Sequence, residues 1–136
     1  MHFEGDPRFD YPINYSLGLL GASRQSMTID FLGRWAPNSY CHFHRHLGDT
    51  TSLVLEGEHH TVETINGKSI HKTRLAGSYA QKSGGDVHME YAGAAGSLVF
   101  FSMKAVDGLV FEVLASDETV ISSLSYEDFL VGNLTR

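Results

Sequence analysis

One stretch decides the fold of this chain: Asn38-Ser-Tyr-Cys-His-Phe-His44-Arg-His46-Leu-Gly-Asp-Thr50-Thr-Ser-Leu-Val-Leu-Glu-Gly57. Two of its histidines, His44 and His46, are separated by a single residue. Side chains alternate along a β-strand with a period of two, so both imidazoles would point to the same face of a strand. A third histidine from a neighbouring strand would complete a facial set of imidazoles around one divalent metal.

A second stretch supplies a candidate for that third ligand. It runs Gly77-Ser-Tyr-Ala-Gln-Lys-Ser83-Gly-Gly85-Asp-Val-His88 and ends on a histidine. The two stretches together predict metal ligation by His44, His46 and His88. His42 would share the face of His44, so a His42/His44 pair is an alternative.

The composition narrows the class of protein. The 136 residues fit one domain with one core, and 42% apolar with 19% charged residues is ordinary for a globular protein. A net charge of -6 argues against a nucleic-acid partner, and no apolar run is long enough for a membrane span. We expect no signal peptide, and the single cysteine, Cys41, fits a reducing compartment. These features predict a cytoplasmic protein.

The periodicity is that of β-strands. Met27, Ile29 and Phe31 alternate with polar residues, which predicts a half-buried strand. Asn66-Gly67 separates residues 61–65 from 68–73 and is a strong hairpin signal. Asp107-Gly108 predicts a last hairpin between residues 97–103 and 109–114. Many short strands with frequent turns predict an all-β sandwich or barrel.

The two ends of the chain lack the strand pattern of its middle. Prolines and glycines interrupt residues 1–24, which we interpret as an arm that packs on a partner subunit. Ser125-Tyr-Glu-Asp128 resembles a capping box, so residues 116–136 are predicted to be a helical tail. The sequence thus predicts one domain over 1–136, with a barrel core at about 25–115.

At this point the residues resemble the cupin superfamily. Its first motif runs Gly, five residues, His-x-His, three or four residues, Glu, six residues, Gly. Asn38, His44, His46, Thr50 and Gly57 occupy those places here. Its second motif runs Gly, five residues, Pro-x-Gly, two residues, His, three residues, Asn, and the matching positions are Gly77, Ser83, Gly85, His88 and Ala92. The resemblance implies a double-stranded β-helix, also called a jelly roll, with a metal in its mouth. The His42/His44 alternative fits the spacing to Asn38 and Gly57 less well.

Of the departures from the motifs, only the one at Thr50 changes an expected metal ligand. Asn38 in place of Gly is tolerable, because Asn also adopts the left-handed backbone conformation. Thr50 stands where the motif has its Glu ligand, so the expected site has three neutral imidazoles and no carboxylate. Such a site should prefer an anionic oxygen ligand, for example an enolate or phenolate.

A three-histidine set of this kind is similar to the acetylacetone dioxygenase and dihydroxyacetophenone dioxygenase group. The resemblance implies a non-haem Fe(II) enzyme that uses O2 to cleave a carbon–carbon bond in a small diketone or hydroxyketone. It also implies a homodimer, and a carboxylate near the metal from the strand after the first motif, for which Glu63 is the candidate catalytic residue. Zn, Ni or Mn could take the place of iron, because a site of three imidazoles accepts any of these divalent ions.

Other interpretations of these residues remain open. Glu63 could instead be an outward, solvated carboxylate, and we expect His59, His60 and His71 to be solvated strand residues. Cys41 is predicted to be a small buried side chain. The alternative functions are a Zn or Mn isomerase or lyase and a non-catalytic cupin that binds a small ligand.

Overall fold

The computed structural model describes residues 1–134, and most of these residues are in β-strands. The last two residues of the predicted helical tail lie outside the described residues. The elements in chain order are β1 His2–Glu4, β2 Asn14–Ser23, β3 Thr28–Trp35, β4 His44–His46, β5 Thr50–Ile65, β6 Lys68–Leu75, β7 Tyr79–Lys82, β8 Val87–Lys104, β9 Leu109–Leu114, β10 Val120–Ser125 and α1 Tyr126–Leu134. In this part of the chain no helix is long and apolar enough to cross a membrane.

The strands form one curled sheet whose centre is the long strand β8. One edge of β8 pairs with β4 near its start and with β3 along residues 97–104, while its other edge pairs with β5. The path runs β1-β2-β3-β8-β4-β9-β10, and β5 carries β6 and β7 on its far side. This arrangement encloses a core of apolar side chains from most strands and from α1, among them Ile29, Phe31, Val54, Val99 and Phe129.

Several local predictions are confirmed. Ile29 and Phe31 are buried on β3, as their alternation predicted. Asn66 and Gly67 both have positive φ values of 51° and 75°, the backbone of a type I′ turn, and they join β5 to β6. Ser125 and Asp128 form the reciprocal hydrogen bonds of a capping box at 3.0 and 2.8 Å, so α1 begins there.

Three predictions at the edges of the fold differ from the structure. Residues 1–24 are not a separate arm, because β2 pairs with β3 along eight positions and β1 pairs with β2. The tail from residue 116 is not all helix, since Val120–Ser125 forms β10 against β9. The turn at Asp107-Gly108 exists, but β8 and β9 do not pair with each other, because the short strand β4 lies between them.

Candidate metal centre

Two strands bring the three predicted histidines together. His44 and His46 lie on β4 with one residue between them, and His44 is directly opposite His88 on β8. All three side chains are buried, and their rings meet edge to face or stacked with centroids 4.5 to 4.8 Å apart. The alternation of strand side chains, which suggested the ligand set, therefore places the three imidazoles in one cluster.

A fourth side chain, Glu90, joins the cluster. Its Oε2 lies 3.2 Å from His44 Nε2 and 3.4 Å from His88 Nε2. His44, His46, His88 and Glu90 each offer a ligand atom, and these atoms lie within 4.8 Å of one another. The expectation of a centre without a carboxylate is therefore incomplete. The signal was present in His88-Met-Glu90, because two residues with one between them share a strand face.

The outer ring nitrogens of His44 and His46 fix which nitrogen of these two imidazoles faces the centre. His44 Nδ1 lies 2.7 Å from the backbone oxygen of His42, which can only accept, so Nδ1 carries the ring proton. Thr50 Oγ1 donates to the backbone oxygen of Gly48 at 3.3 Å, and it therefore accepts from His46 Nδ1 at 3.2 Å. In the neutral rings, the Nε2 atoms of both histidines carry lone pairs.

The Nε2 lone pairs of His44 and His46 face each other, a contact that a positive charge between them would stabilise. His44 Nε2 lies 2.9 Å from His46 Nε2 and 2.9 Å from His88 Nε2. Burial opposes a charge on His44, yet Cys41 and Glu90 raise its pKa well above the usual range. The centre thus favours a cation, which is either a proton on His44 or a metal ion. The donor set of three imidazoles and one carboxylate fits a divalent metal.

The other members of the cluster are in the protonation states that metal binding needs. Burial lowers the pKa of His46, and His88 and His44 lower it further. Burial also lowers the pKa of His88. Burial alone would raise the pKa of Glu90, but hydrogen bonds from His44, His59 and His88 hold it well below its usual range. Two neutral imidazoles and an ionised carboxylate therefore face the centre, as ligation requires.

Two residues outside the cluster position its ligands. His59 is fully buried, which corrects the expectation of a solvated residue. Its Nε2 lies 3.0 Å from Glu90 Oε1 and its Nδ1 lies 2.9 Å from Ser97 Oγ. Thr50, in the place of the family's Glu, reaches the outer nitrogen of His46. Thr50 therefore orients His46 and does not face the centre.

The remaining candidate residues lie elsewhere. His42 contacts Tyr15 and Asp6 and is not part of the cluster, so the His42/His44 alternative is wrong. Cys41 is buried as predicted, with its Sγ 3.6 Å from His44 Nδ1. His60 and His71 lie on the outer side of the sheet, where His71 is exposed and His60 is partly covered.

A cavity of about 470 Å³ opens beside the cluster. The buried residues His46, His88 and Glu90 line it, and most of the other lining residues have polar side chains, including Thr50, Ser52, Thr61, Arg74 and Ser78. A cavity of this size can hold a small organic molecule against the cluster.

Glu63 is in the wall of this cavity and not outside the barrel. It lies opposite His88 in the strand register and is only 3% exposed. Its Oε1 forms an ion pair with Lys82, and Oε2 is buried without a hydrogen-bond partner among the described residues. The interpretation of Glu63 as an outward, solvated carboxylate is therefore wrong. It shares an inward face of β5 with His59 and Thr61, because the three are spaced by two.

Comparison with known proteins identifies the fold. No protein-family model matches the sequence, and no curated protein matches it. Among solved structures, an acetylacetone dioxygenase from Acinetobacter johnsonii superimposes with a TM-score of 0.70 at 18% identity, covering 98% of this chain and 85% of that one. The fold is that of the cupins.

Two further solved structures are similar. An RmlC-like cupin protein from Ralstonia eutropha has a TM-score of 0.72 at 12% identity, covering 99% of this chain and 80% of the other. A cupin 2 conserved barrel domain protein from Rhodopseudomonas palustris has a TM-score of 0.68 at 12% identity, covering 87% and 78%. The predicted jelly-roll barrel with a short C-terminal helix is thereby confirmed.

Proposed function

We propose that this cupin is a non-haem Fe(II) dioxygenase that cleaves a carbon–carbon bond in a small diketone or hydroxyketone. The observation that supports this most is the buried group of His44, His46, His88 and Glu90 beside a cavity of about 470 Å³. The similarity in fold to an acetylacetone dioxygenase supports the same reaction class. When bound, Fe(II) would supply the activation of O2 and the redox capacity for the cleavage.

The charge of the ligand group favours an anionic substrate. With one carboxylate, Glu90, and three neutral imidazoles, a divalent ion keeps one uncompensated positive charge. A monoanionic chelator such as an enolate would neutralise it. The expected preference for an anionic oxygen ligand therefore remains, although Glu90 supplies the carboxylate that is missing at residue 50. The polar wall of the cavity adds hydrogen-bond partners for hydroxyl groups.

Glu63 is the proposed catalytic base. Its Oε2 is buried in the cavity wall and has no hydrogen-bond partner in residues 1–134, and the ammonium of Lys82 holds Oε1 and stabilises the carboxylate charge. A carboxylate in this position can take the proton from the carbon between two carbonyls, or from a substrate hydroxyl, and so produce the anionic chelating form. Lys82 is a positioning residue, since it acts through Glu63.

Oxygen consumption after anaerobic loading with Fe(II) tests the proposal. A panel of β-diketones, α-hydroxyketones and hydroxylated aromatics is offered, and we expect one O2 consumed for each substrate molecule by one of them. His88→Ala should lose the metal and the activity together. Glu63→Gln should keep the metal and lower turnover by roughly 10²–10⁴-fold. Glu56→Gln, at a largely exposed carboxylate remote from the cavity lining, is the matched control and should change neither.

One observation favours a second function. The Glu63–Lys82 pair and the hydroxyl-rich wall are what acid–base catalysis on a hydroxylated substrate requires, with Zn or Mn as a Lewis acid in an isomerase or lyase. Zn in the native protein, together with no O2 consumption by the fully Fe(II)-loaded protein across the panel, would contradict the dioxygenase and favour this alternative.

A further inference from the structure

A second group of ligand-type side chains lies on the outer side of the sheet, and its main members His60, His71 and Tyr91 are not among the residues that line the cavity. His60 on β5 is opposite Tyr91 on β8, and His71 on β6 lies one diagonal step away. The three residues therefore come from three adjacent strands. His60 points outward because its neighbours His59 and Thr61 are buried on the inner face.

The ring nitrogens of the two histidines meet directly. His60 Nδ1 lies 2.8 Å from His71 Nε2, and the hydroxyl of Tyr91 lies 3.1 Å from the same nitrogen. Thr73 Oγ1 lies 3.4 Å from His60 Nδ1. The phenol oxygen of Tyr91, the two imidazole nitrogens and the hydroxyl oxygen of Thr73 thus form a chain of close contacts on the surface of the sheet.

The contacts of His60 hold it in the form that a ligand needs. Its Nε2 lies 2.6 Å from Glu58 Oε1, and a carboxylate can only accept, so Nε2 carries the proton and Nδ1 has the lone pair. A metal-ligating histidine characteristically donates its other N–H to such a carboxylate. The ring of Tyr91 lies parallel to that of His60 at 4.5 Å and 3°, which fixes its orientation.

We propose that His60 and His71, with the oxygen of Tyr91 as a third donor, form a second site for a borderline divalent transition-metal ion. Imidazole nitrogens suit Zn(II), Cu(II) and Ni(II). His71 needs only to move its proton to the other ring nitrogen for Nε2 to become a ligand. Without an ion, a hydrogen bond from His71 to His60 would account for the same contact, and the number of bound ions distinguishes the two explanations. The proposal is independent of the function of the central cluster.

Zn(II) titration of the whole protein, followed by calorimetry and by metal analysis after dialysis, tests the site. Wild type should bind two ions per chain, and His71→Gln should bind one. His88→Ala should lose the central ion and keep the outer one. Glu58→Gln should weaken the outer site by roughly 10–100-fold, because it removes the carboxylate that orients His60.

The controls decide what a lost ion means. His2→Gln removes another exposed histidine, one that contacts Ser16 and Glu4, and it should leave two ions. The ion that remains in His71→Gln shows that the variant is folded. One ion in wild type, two in His71→Gln, or an equal loss in His2→Gln would overturn the proposal.

Discussion

Glu90 has two oxygens with different partners, and this arrangement determines the character of the centre. Oε2 faces His44 and His88, while Oε1 bonds His59, which is itself held by Ser97. His59 therefore fixes the orientation of the carboxylate through Oε1, while Oε2 presents negative charge to His44 and His88. It supplies from β8 the negative charge that the motif of the first stretch would have placed at residue 50.

Glu90→Gln keeps the shape of the side chain and removes the charge. We expect the affinity for Fe(II) or Zn(II) to fall by roughly 10–100-fold. A neutral amide does not balance the charge of the ion, and its hydrogen bond with His59 is weaker than that of a carboxylate. Calorimetric titration measures the change. Glu56→Gln is the control, and equal affinities for both variants would show that Glu90 is not a ligand.

Thr50→Val tests whether this residue positions His46. Loss of the hydroxyl should leave the metal stoichiometry at the central cluster unchanged and lower the affinity by about tenfold or more, since His46 Nδ1 loses its acceptor. Thr50→Ser retains the hydroxyl and should bind as wild type does. If Thr50→Val and wild type have the same affinity, the hydrogen bond has no role in ligand orientation.

At the scale of elements, β5 and β8 do most to build the site. Both are long, and they run antiparallel with irregular register near Gly57. Gly57 has a φ of 76°, and a Cβ there would lie in contact with the backbone oxygen of Gly96, closer than any real side-chain carbon can approach. This bend allows β5 to continue past the first half of the barrel and to present His59 and Glu63 to the interior.

Gly57→Ala should therefore destabilise the fold by about 3 kcal/mol or more, since it combines left-handed backbone strain with a clash against main chain. Gly67→Ala is the matched comparison, because Gly67 has a similar φ of 75° and open space around it. It should cost only about 1–2 kcal/mol. Urea denaturation of both variants gives the difference, and equal losses of stability would show that the Gly96 contact is not important.

Local sequence signals correctly predicted the turns, caps and backbone conformations that depend on residues close together in the chain. The Asn66-Gly67 turn, the capping box at Ser125 and the left-handed Asn38 are each set by side chains within a few positions, and all three are present. The hairpins β2–β3 and β9–β10 were not predicted, because their connections, residues 24–27 and 115–119, contain neither Asn-Gly nor Asp-Gly. The pairing of β8 with β3, β4 and β5 joins strands distant along the chain, which a local pattern does not contain. Spacing by two found His44 and His46, and the same rule applied to His88-Met-Glu90 would have found Glu90.

At the scale of the whole molecule, the homodimer remains a prediction. Within residues 1–134 the outer strand β6 pairs only with β5, and its apolar side chains Ile70 and Leu75 are 40% and 61% exposed. Tyr79 of β7 is also 61% exposed. An exposed strand edge with apolar side chains is a surface that native proteins usually cover. Sedimentation equilibrium should give twice the mass of the chain, and a monomer at every concentration tested would contradict the prediction.

The position of the bound metal ion tests directly whether His44, His46, His88 and Glu90 form the metal site. Anomalous diffraction from crystals of the Fe(II)-loaded protein, collected at the iron edge, locates the ion without reference to activity. We predict the strongest peak beside the cavity, within bonding distance of the Nε2 atoms of His44, His46 and His88 and of Glu90 Oε2. A fully loaded crystal with its strongest peak elsewhere, or with Glu90 turned away from the ion, would contradict it.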